Sequence, residues 1–355
     1  MDAEPATVSR SELTPLEYMN LSGGTYHFVM QVLDFQGNAV KTVTFQIIKE
    51  KSFYEETWFY VLSGLIVLAC LALGTRLYIR RKMAEMEKKH QEEKEKERFV
   101  TELKTAKQIQ ESMLPNVFPP FPDRDEFDIY ASMDPAREVG GDFYDFFLID
   151  NDHLCLVMAD VSGKGIPAAL FMMICKVILQ SNAIPGRSAK DILAKANEAI
   201  CANNEMEMFV TVWLGILEIS TGRITCANAG HEYPAICRKG RTFELFRDRH
   251  GFVLGGMEGI RYKEYELQLE EGDKLFLYTD GVPEAMGESK TLFGTDRMLD
   301  ALNTCPDGSP EQILLKVRTA VDSFVQGAEQ FDDLTMLCLE YRMKAVSKED
   351  PLKMD

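Results

Sequence analysis

Four short stretches of this chain place aspartate where an apolar run begins or ends. Leu154-Cys-Leu-Val-Met-Ala ends in Asp160-Val-Ser-Gly-Lys-Gly, and Lys274-Leu-Phe-Leu-Tyr-Thr ends in Asp280-Gly-Val-Pro-Glu-Ala. Asp332-Asp333 immediately precedes Leu334-Thr-Met-Leu-Cys-Leu, and Asp142 stands between Gly140-Gly141 and the aromatic run Phe143-Tyr-Asp-Phe-Phe147. A carboxylate at the end of a hydrophobic strand lies at the rim of a sheet, partly desolvated, and several converging there repel one another. The usual remedy is a hard divalent cation such as Mg²⁺ or Mn²⁺, which takes oxygen ligands. Glycine beside the aspartates lets backbone carbonyls or water come close. Singly, each stretch has a dull alternative. Asp-Gly is a common turn, and Gly163-Lys-Gly165 does not complete the G-x-x-x-x-G-K-[ST] phosphate loop. The four in this order are more specific than any one.

The elements that must position these residues are legible in the rhythm of the chain from about Phe127 to Tyr341. Strands are expected at 128–133, 143–149, 153–160, 209–219, 223–230, 233–238, 242–246, 263–269, 273–279 and 334–341. Turn signals such as Asp150-Asn-Asp, Thr221-Gly, Lys239-Gly and Glu271-Gly-Asp separate several of them, the hairpin pattern of antiparallel sheets. Helices are expected at 167–181, 188–204, 295–303 and 309–326. The class is α+β, with antiparallel sheets covered by helices.

Upstream the pattern differs. Gly24–Leu33 and Lys41–Ile48 alternate β-branched and aromatic residues around Asp34-Phe-Gln-Gly-Asn, a β-hairpin signal. Two strands alone are marginal, so residues 1–56 are expected to be the end of a larger extracytoplasmic β-domain; they resemble the last strands of the β-sandwich in large bacterial sensors. Trp58–Thr75 carries no charge and is almost wholly apolar, close to the length that crosses ~30 Å of hydrocarbon as a helix. Aromatics cluster at its start, and Arg76, Arg80, Arg81 and Lys82 follow its end, placing the C-terminal side in the cytoplasm. A transmembrane helix is thus expected over 57–76, with localisation at the inner (cytoplasmic) membrane. Residues 77–114 are rich in Glu and Lys and carry Phe99, Leu103, Ala106, Ile109 and Met113 at helical spacing. They predict a helical linker, either a parallel coiled coil or a helix packed on the next domain. Pro115, Pro119, Pro120 and Pro122 end it. The remaining divisions are a folded α+β domain over 115–342 and a polar tail over 343–355.

Composition removes several classes. The 355 residues are 46% hydrophobic, as in a folded globular protein. Thirty-nine basic against 56 acidic residues give a net charge of −17, which excludes general nucleic-acid binding. The 8 cysteines form no C-x-x-C pair and several lie inside apolar runs, so neither a zinc site nor a disulfide framework is expected.

Glu138-Val-Gly-Gly-Asp-Phe-Tyr-Asp145, Ala159-Asp-Val-Ser-Gly-Lys-Gly165, Ala227-Asn-Ala-Gly-His231, Leu277-Tyr-Thr-Asp-Gly-Val-Pro-Glu-Ala285 and Asp332-Asp-Leu-Thr335 together resemble one family. It is the metal-dependent type 2C Ser/Thr protein phosphatases, in the bacterial branch of the SpoIIE and RsbU phosphatases. The segment from Glu102 to Pro115 is similar to the helix that precedes the catalytic domain there, so the resemblance spans 102–342.

That resemblance implies an αββα sandwich with a dinuclear Mn²⁺ or Mg²⁺ site that activates water against a phosphoserine or phosphothreonine protein. Carried over by motif, the catalytic and metal-binding residues are Asp142 (bridging), Asp160, Asp280 and one of Asp332 and Asp333, with Asp332 favoured and the Val161 carbonyl as a backbone ligand. His231 is expected to be a structural hydrogen-bonding residue rather than a general acid, and residues 143–147 to pack beneath the site. The implied substrate is an anti-sigma-factor antagonist, and the implied assembly is a homodimer through the linker. Two other readings are open at this point: a catalytically silent phosphoprotein-binding scaffold of the same fold, and a kinase-like sensor with His90 as phospho-acceptor. No nucleotide-binding glycine-rich domain follows His90, which weighs against the latter.

Overall fold

The computed structural model describes residues 5–15, 17–288 and 290–342, so the polar tail over 343–355 lies outside the described residues. The chain divides into two compact units, Met1–Lys96 and Glu97–Asp355.

In the first unit, strands β1 (Gly24–Leu33) and β2 (Ala39–Lys49) pair antiparallel, from Gly24 opposite Lys49 to Leu33 opposite Ala39. Asp34 closes the turn, its Oδ1 accepting from the N–H groups of Gln36 and Asn38, both at 2.8 Å. None of the residues in either strand is buried. Helix α1 (Thr57–Met113) follows, its residues from Glu97 onward belonging to the second unit. Its apolar part contains an 18-residue window of mean hydropathy 2.0, long and apolar enough to cross a membrane by length and composition, with no part of it buried. The charged part is laced by i,i+4 pairs, Glu85–Lys89, Lys88–Glu92, Arg98–Glu102 and Lys107–Glu111, each contributing a few tenths of a kcal/mol. Of the expected apolar stripe, Leu103 and Met113 are half-buried and Phe99, Ala106 and Ile109 exposed; the buried residue is Gln110.

The second unit holds two five-stranded antiparallel sheets. The first has the order β10 (Glu264–Gln268), β7 (Arg223–Ala229), β6 (Val210–Glu218), β5 (His153–Val161), β4 (Phe143–Leu148). The second has the order β3 (Phe127–Asp134), β12 (Leu334–Tyr341), β11 (Lys274–Tyr278), β8 (Ala235–Cys237), β9 (Phe243–Leu245). Alternation along the second sheet explains why its strands read as unbroken apolar runs. Leu275, Leu277, Leu337 and Leu339 enter a core shared with the first sheet and with helices α2 (Ile166–Asn182) and α3 (Ala189–Cys201). Their neighbours Phe276, Tyr278, Met336 and Cys338 point the other way, against α4 (Gly294–Leu302) and α5 (Pro310–Val325). A strand with two covered faces loses the polar alternation of a half-solvated one. The layers therefore run helices, sheet, sheet, helices.

Local signals fix the helix starts. Ser188 accepts from the Asp191 N–H at α3, and Ser309 with Gln312 forms a reciprocal capping box at α5, followed by Pro310. All eight cysteines are free, and Cys155, Cys175, Cys226, Cys237 and Cys338 are buried as small core residues.

Candidate metal centre

Antiparallel pairing alone brings the aspartates to one rim. Phe143 of β4 lies opposite Ala159 of β5, so Asp142 before one strand and Asp160 at the end of the other share an end of the first sheet. Tyr278 of β11 lies opposite Met336 of β12, so Asp280 and the Asp332-Asp333 pair share an end of the second. Hydroxyls of the second sheet bind a carboxylate of the first. Thr279 Oγ1 donates to Asp142 Oδ2 at 2.6 Å, and Thr335 Oγ1 donates to the same oxygen at 2.8 Å.

The electrostatics show a site short of positive charge. Burial pushes the Asp142 carboxyl well above the ordinary range; neighbouring Asp160 and Asp333 push it further, and the two threonine hydroxyls only partly oppose them. Asp160 is pushed up to about 7, by burial first and then by Asp280, and Asp280 to about 6, by burial and then by Asp332. Glu284 and Glu232 add to the negative field at Asp280, and Lys164 counters it.

Adjacent Asp332 and Asp333 have different surroundings. Asp333 is buried and accepts three backbone N–H groups: Ala136 at 2.8 Å, Gly141 at 2.7 Å and Asp142 at 3.3 Å. It holds the loop that carries Asp142. Asp332 is partly exposed; its Oδ2 lies 2.9 Å from Lys164 Nζ, which also donates to the Phe331 carbonyl and sits over the Phe331 ring. The glycines before Asp142 permit this crowding. A Cβ at Gly140 would stand 2.5 Å from Asp333 Oδ2, and one at Gly141 would stand 3.1 Å from the Val161 carbonyl oxygen. The Val161 carbonyl thus lies beside the Gly-Gly-Asp segment.

Among the described residues no three acidic, histidine or cysteine side chains converge on a point that would hold one ion. Hydroxyls, backbone N–H groups and an ammonium take up several of the carboxylate oxygens instead. The donor set is nonetheless all oxygen, partly desolvated and in excess over the Lys164 ammonium, which is the chemistry that hard divalent ions satisfy.

His231 is buried and neutral, its imidazole pushed down to about 3 chiefly by desolvation. Its Nε2 donates to the Tyr278 carbonyl at 3.1 Å, and its Nδ1 pairs with the Thr211 hydroxyl at 2.8 Å, so it ties β6 to β11. Phe143, Tyr144 and Phe146 are buried in the core beneath the rim. Sequence reasoning missed the roles of Thr279, Thr335, Lys164 and Gln110. The threonines lie within the quoted motifs, and a hydroxyl beside a rim carboxylate was the available signal. Gln110 lies within the Glu102–Pro115 segment that carries the resemblance, but nothing in the sequence pointed to its contact with Gly140.

The family described as stage II sporulation protein E (SpoIIE) matches residues 150–342. Protein IcfG of Synechocystis sp. is 30% identical over 265 residues, covering 67% of this chain and 41% of that protein, so the chain spans less than half of that relative's length. Phosphoserine phosphatase RsbU of Bacillus subtilis is 30% identical over 248 residues, 68% of this chain and 71% of that protein. Among solved structures, the SiaA-PP2C domain of Pseudomonas aeruginosa superposes with a TM-score of 0.61 at 22% identity, over 70% of this chain and 98% of that domain. At that identity the likeness is one of fold.

Proposed function

The chain belongs to the SpoIIE family of PP2C-type phosphatases, and from that premise we propose that it hydrolyses phosphoserine or phosphothreonine on a protein. The observation that carries this reading is the rim itself: aspartates from two sheets, crowded and partly buried, with Lys164 as the neighbouring cation. Asp142, Asp160, Asp280 and Asp332, with the Val161 carbonyl, would hold two Mn²⁺ or Mg²⁺ ions. Bound there, such ions supply an acidified water as nucleophile and screen the charge of the phosphoryl group.

The protein's own residues do the positioning. Thr279 and Thr335 fix the Asp142 carboxylate from the opposite sheet. Asp333 holds the loop 136–142 through backbone N–H groups, which suits it to support rather than ligation and leaves Asp332 as the ligand of the pair. Lys164 Nζ occupies Asp332 Oδ2, so it would compete with an ion for that oxygen. Neutral His231, with both ring nitrogens engaged, holds the strands beneath the rim and takes no part in proton transfer.

The same reading places residues 57–76 across the inner membrane, residues 77–114 as a dimerising linker and residues 115–342 as the cytoplasmic phosphatase domain. Its substrate would be a phosphorylated anti-sigma-factor antagonist, in keeping with the likeness to RsbU. The test is hydrolysis of an aryl phosphate and of a phosphoserine protein by the full chain in detergent, with Mn²⁺ titrated in and EDTA as control. Metal-dependent turnover that disappears in Asp142→Asn and Asp280→Asn is expected; unchanged turnover in either variant refutes the assignment.

A further inference from the structure

Beside the rim, the second sheet carries a groove that the metal centre does not use. It lies between β9 and the start of α4 and has a volume of about 610 Å³, within the range of pockets that take small ligands. Glu232, Glu244 and Asp296 line it together with Arg247, so carboxylates outnumber cations there. Glu244 and Asp296 are exposed, and Glu232 is half-buried. Burial raises the Glu232 carboxyl, an effect that His250 opposes and Glu284 adds to. Tyr233 and Tyr278 bring aromatic rings to the same space.

An acidic lining by itself is only a solvated surface. What points to a ligand is Tyr278. It is 1% exposed and lines the groove from the end of β11, yet its hydroxyl is buried with no hydrogen-bond partner among the described residues. A buried phenol normally finds a partner, and an orphan hydroxyl is costly. The partner that suits this lining donates hydrogen bonds and brings positive charge. An arginine side chain does both, because its planar guanidinium offers several N–H donors, pairs with carboxylates and stacks on aromatic rings.

We propose that the groove is a docking subsite for an arginine of the phosphoprotein substrate, carried close in sequence to the phosphorylated residue. The inference rests on the phosphatase reading and adds what that enzyme selects. The chain itself sets the groove beside the rim: Tyr278 stands two residues before Asp280, and Glu232 contributes to the negative field at Asp280. The guanidinium donates to Tyr278 Oη and pairs with Glu232, while exposed Glu244 and Asp296 attract it from solvent.

The test uses the full chain in detergent with Mn²⁺ and phosphoserine peptides that are neutral but for one arginine, placed in turn at each position within about four residues of the phosphoserine. Matched peptides carry Gln or Leu instead. Each result is the ratio of kcat/KM for the Arg peptide to that for its Gln partner on the same enzyme, so a change at the rim cancels. Wild type is expected to favour arginine by about tenfold or more at the best position, the scale of a hydrogen bond to a charged group. Glu232→Gln combined with Glu244→Gln should bring the ratio close to 1. Glu244→Lys with Asp296→Lys, at exposed positions that spare the fold, should lower it at least about threefold. Tyr278→Phe should lose about threefold of the preference yet melt no lower than wild type, since the hydroxyl it removes has no partner in the free protein. Glu198→Gln, an exposed position on α3, is the control and keeps the ratio. Equal rates for Arg and Gln peptides at every position overturn the inference, as do a preference for Leu or a ratio that survives both carboxylate variants. If neither the peptides nor an aryl phosphate are hydrolysed, the phosphatase reading fails. Fluorescence anisotropy of labelled Arg and Gln peptides then still decides whether the groove takes arginine.

Discussion

Two buried carboxylate regions lie three residues apart along the chain. Asp145, on β4, faces into the layer between the first sheet and α2, where Lys176 Nζ stands 2.6 Å from its Oδ2 and the Phe146 N–H donates to its Oδ1 at 3.0 Å. Asp142, just before the same strand, meets two hydroxyls, more carboxylates and no ammonium. The first region carries its own cation and is complete. In the second, Lys164 reaches only the outer Asp332, and among the described residues no ammonium meets Asp142; burial without such a counterion sets it apart from the structural pair. Helix α2 is otherwise apolar apart from a few polar residues, so Lys176 has no water-facing reason to be where it is.

The largest effect expected from this contrast is at the paired site. Lys176→Met leaves Asp145 buried without its partner and should cost about 3–5 kcal/mol, read as urea denaturation of the full chain. Because loss of the ammonium raises Asp145 further above its already elevated pKa, the deficit should be larger at pH 8 than at pH 5. A variant as stable as wild type at both values would show that the pair contributes nothing.

A smaller effect is expected at the rim, where Asp142, Asp160 and Asp280 outnumber the Lys164 ammonium. In metal-free protein Asp160 and Asp280 are raised to about 7 and about 6, so the folded state keeps protons that the unfolded chain releases from about pH 4 upward. Stability from these groups is therefore present at low pH, falls as pH rises through about 4 to 7, and is flat above. Asp160→Asn removes much of that slope, a difference on the order of 2 kcal/mol, seen as a smaller drop in melting temperature between pH 5 and pH 8 with EDTA present. His231, depressed in the opposite sense, contributes alike to both proteins and cancels. Equal slopes would mean the rim is not short of positive charge.

The smallest concerns Asp333. Asp333→Asn retains an oxygen for some of its three N–H partners and should cost about 1 kcal/mol in the melting of metal-free protein. A loss as large as that of Lys176→Met would place Asp333 with the structural pair rather than at the edge of the site.

Much of the second unit was legible before any coordinates. Residues 334–341 and 153–160 read as strands because unbroken apolar runs of that length, bounded by Asp and Gly signals, suit strands covered on both faces; β12 and β5 are such strands. Helix starts at Ser188 and Ser309 were readable because capping is local. The hairpin was readable for the same reason, yet its exposed faces show that an alternating pattern predicts pairing and not what covers it.

The sequence by itself determined the element order, the apolar span, the acid excess and the set of aspartates at strand ends. These depend on periodicity and on neighbours a few residues away. Which aspartate supports and which faces the rim was decided only by tertiary structure, as were the two threonines on Asp142, the Lys176 counterion and the clasp of Gln110 on Gly140. Each joins groups distant along the chain, and the burial and counter-charge that tune a carboxylate exist only once the sheets have closed over it.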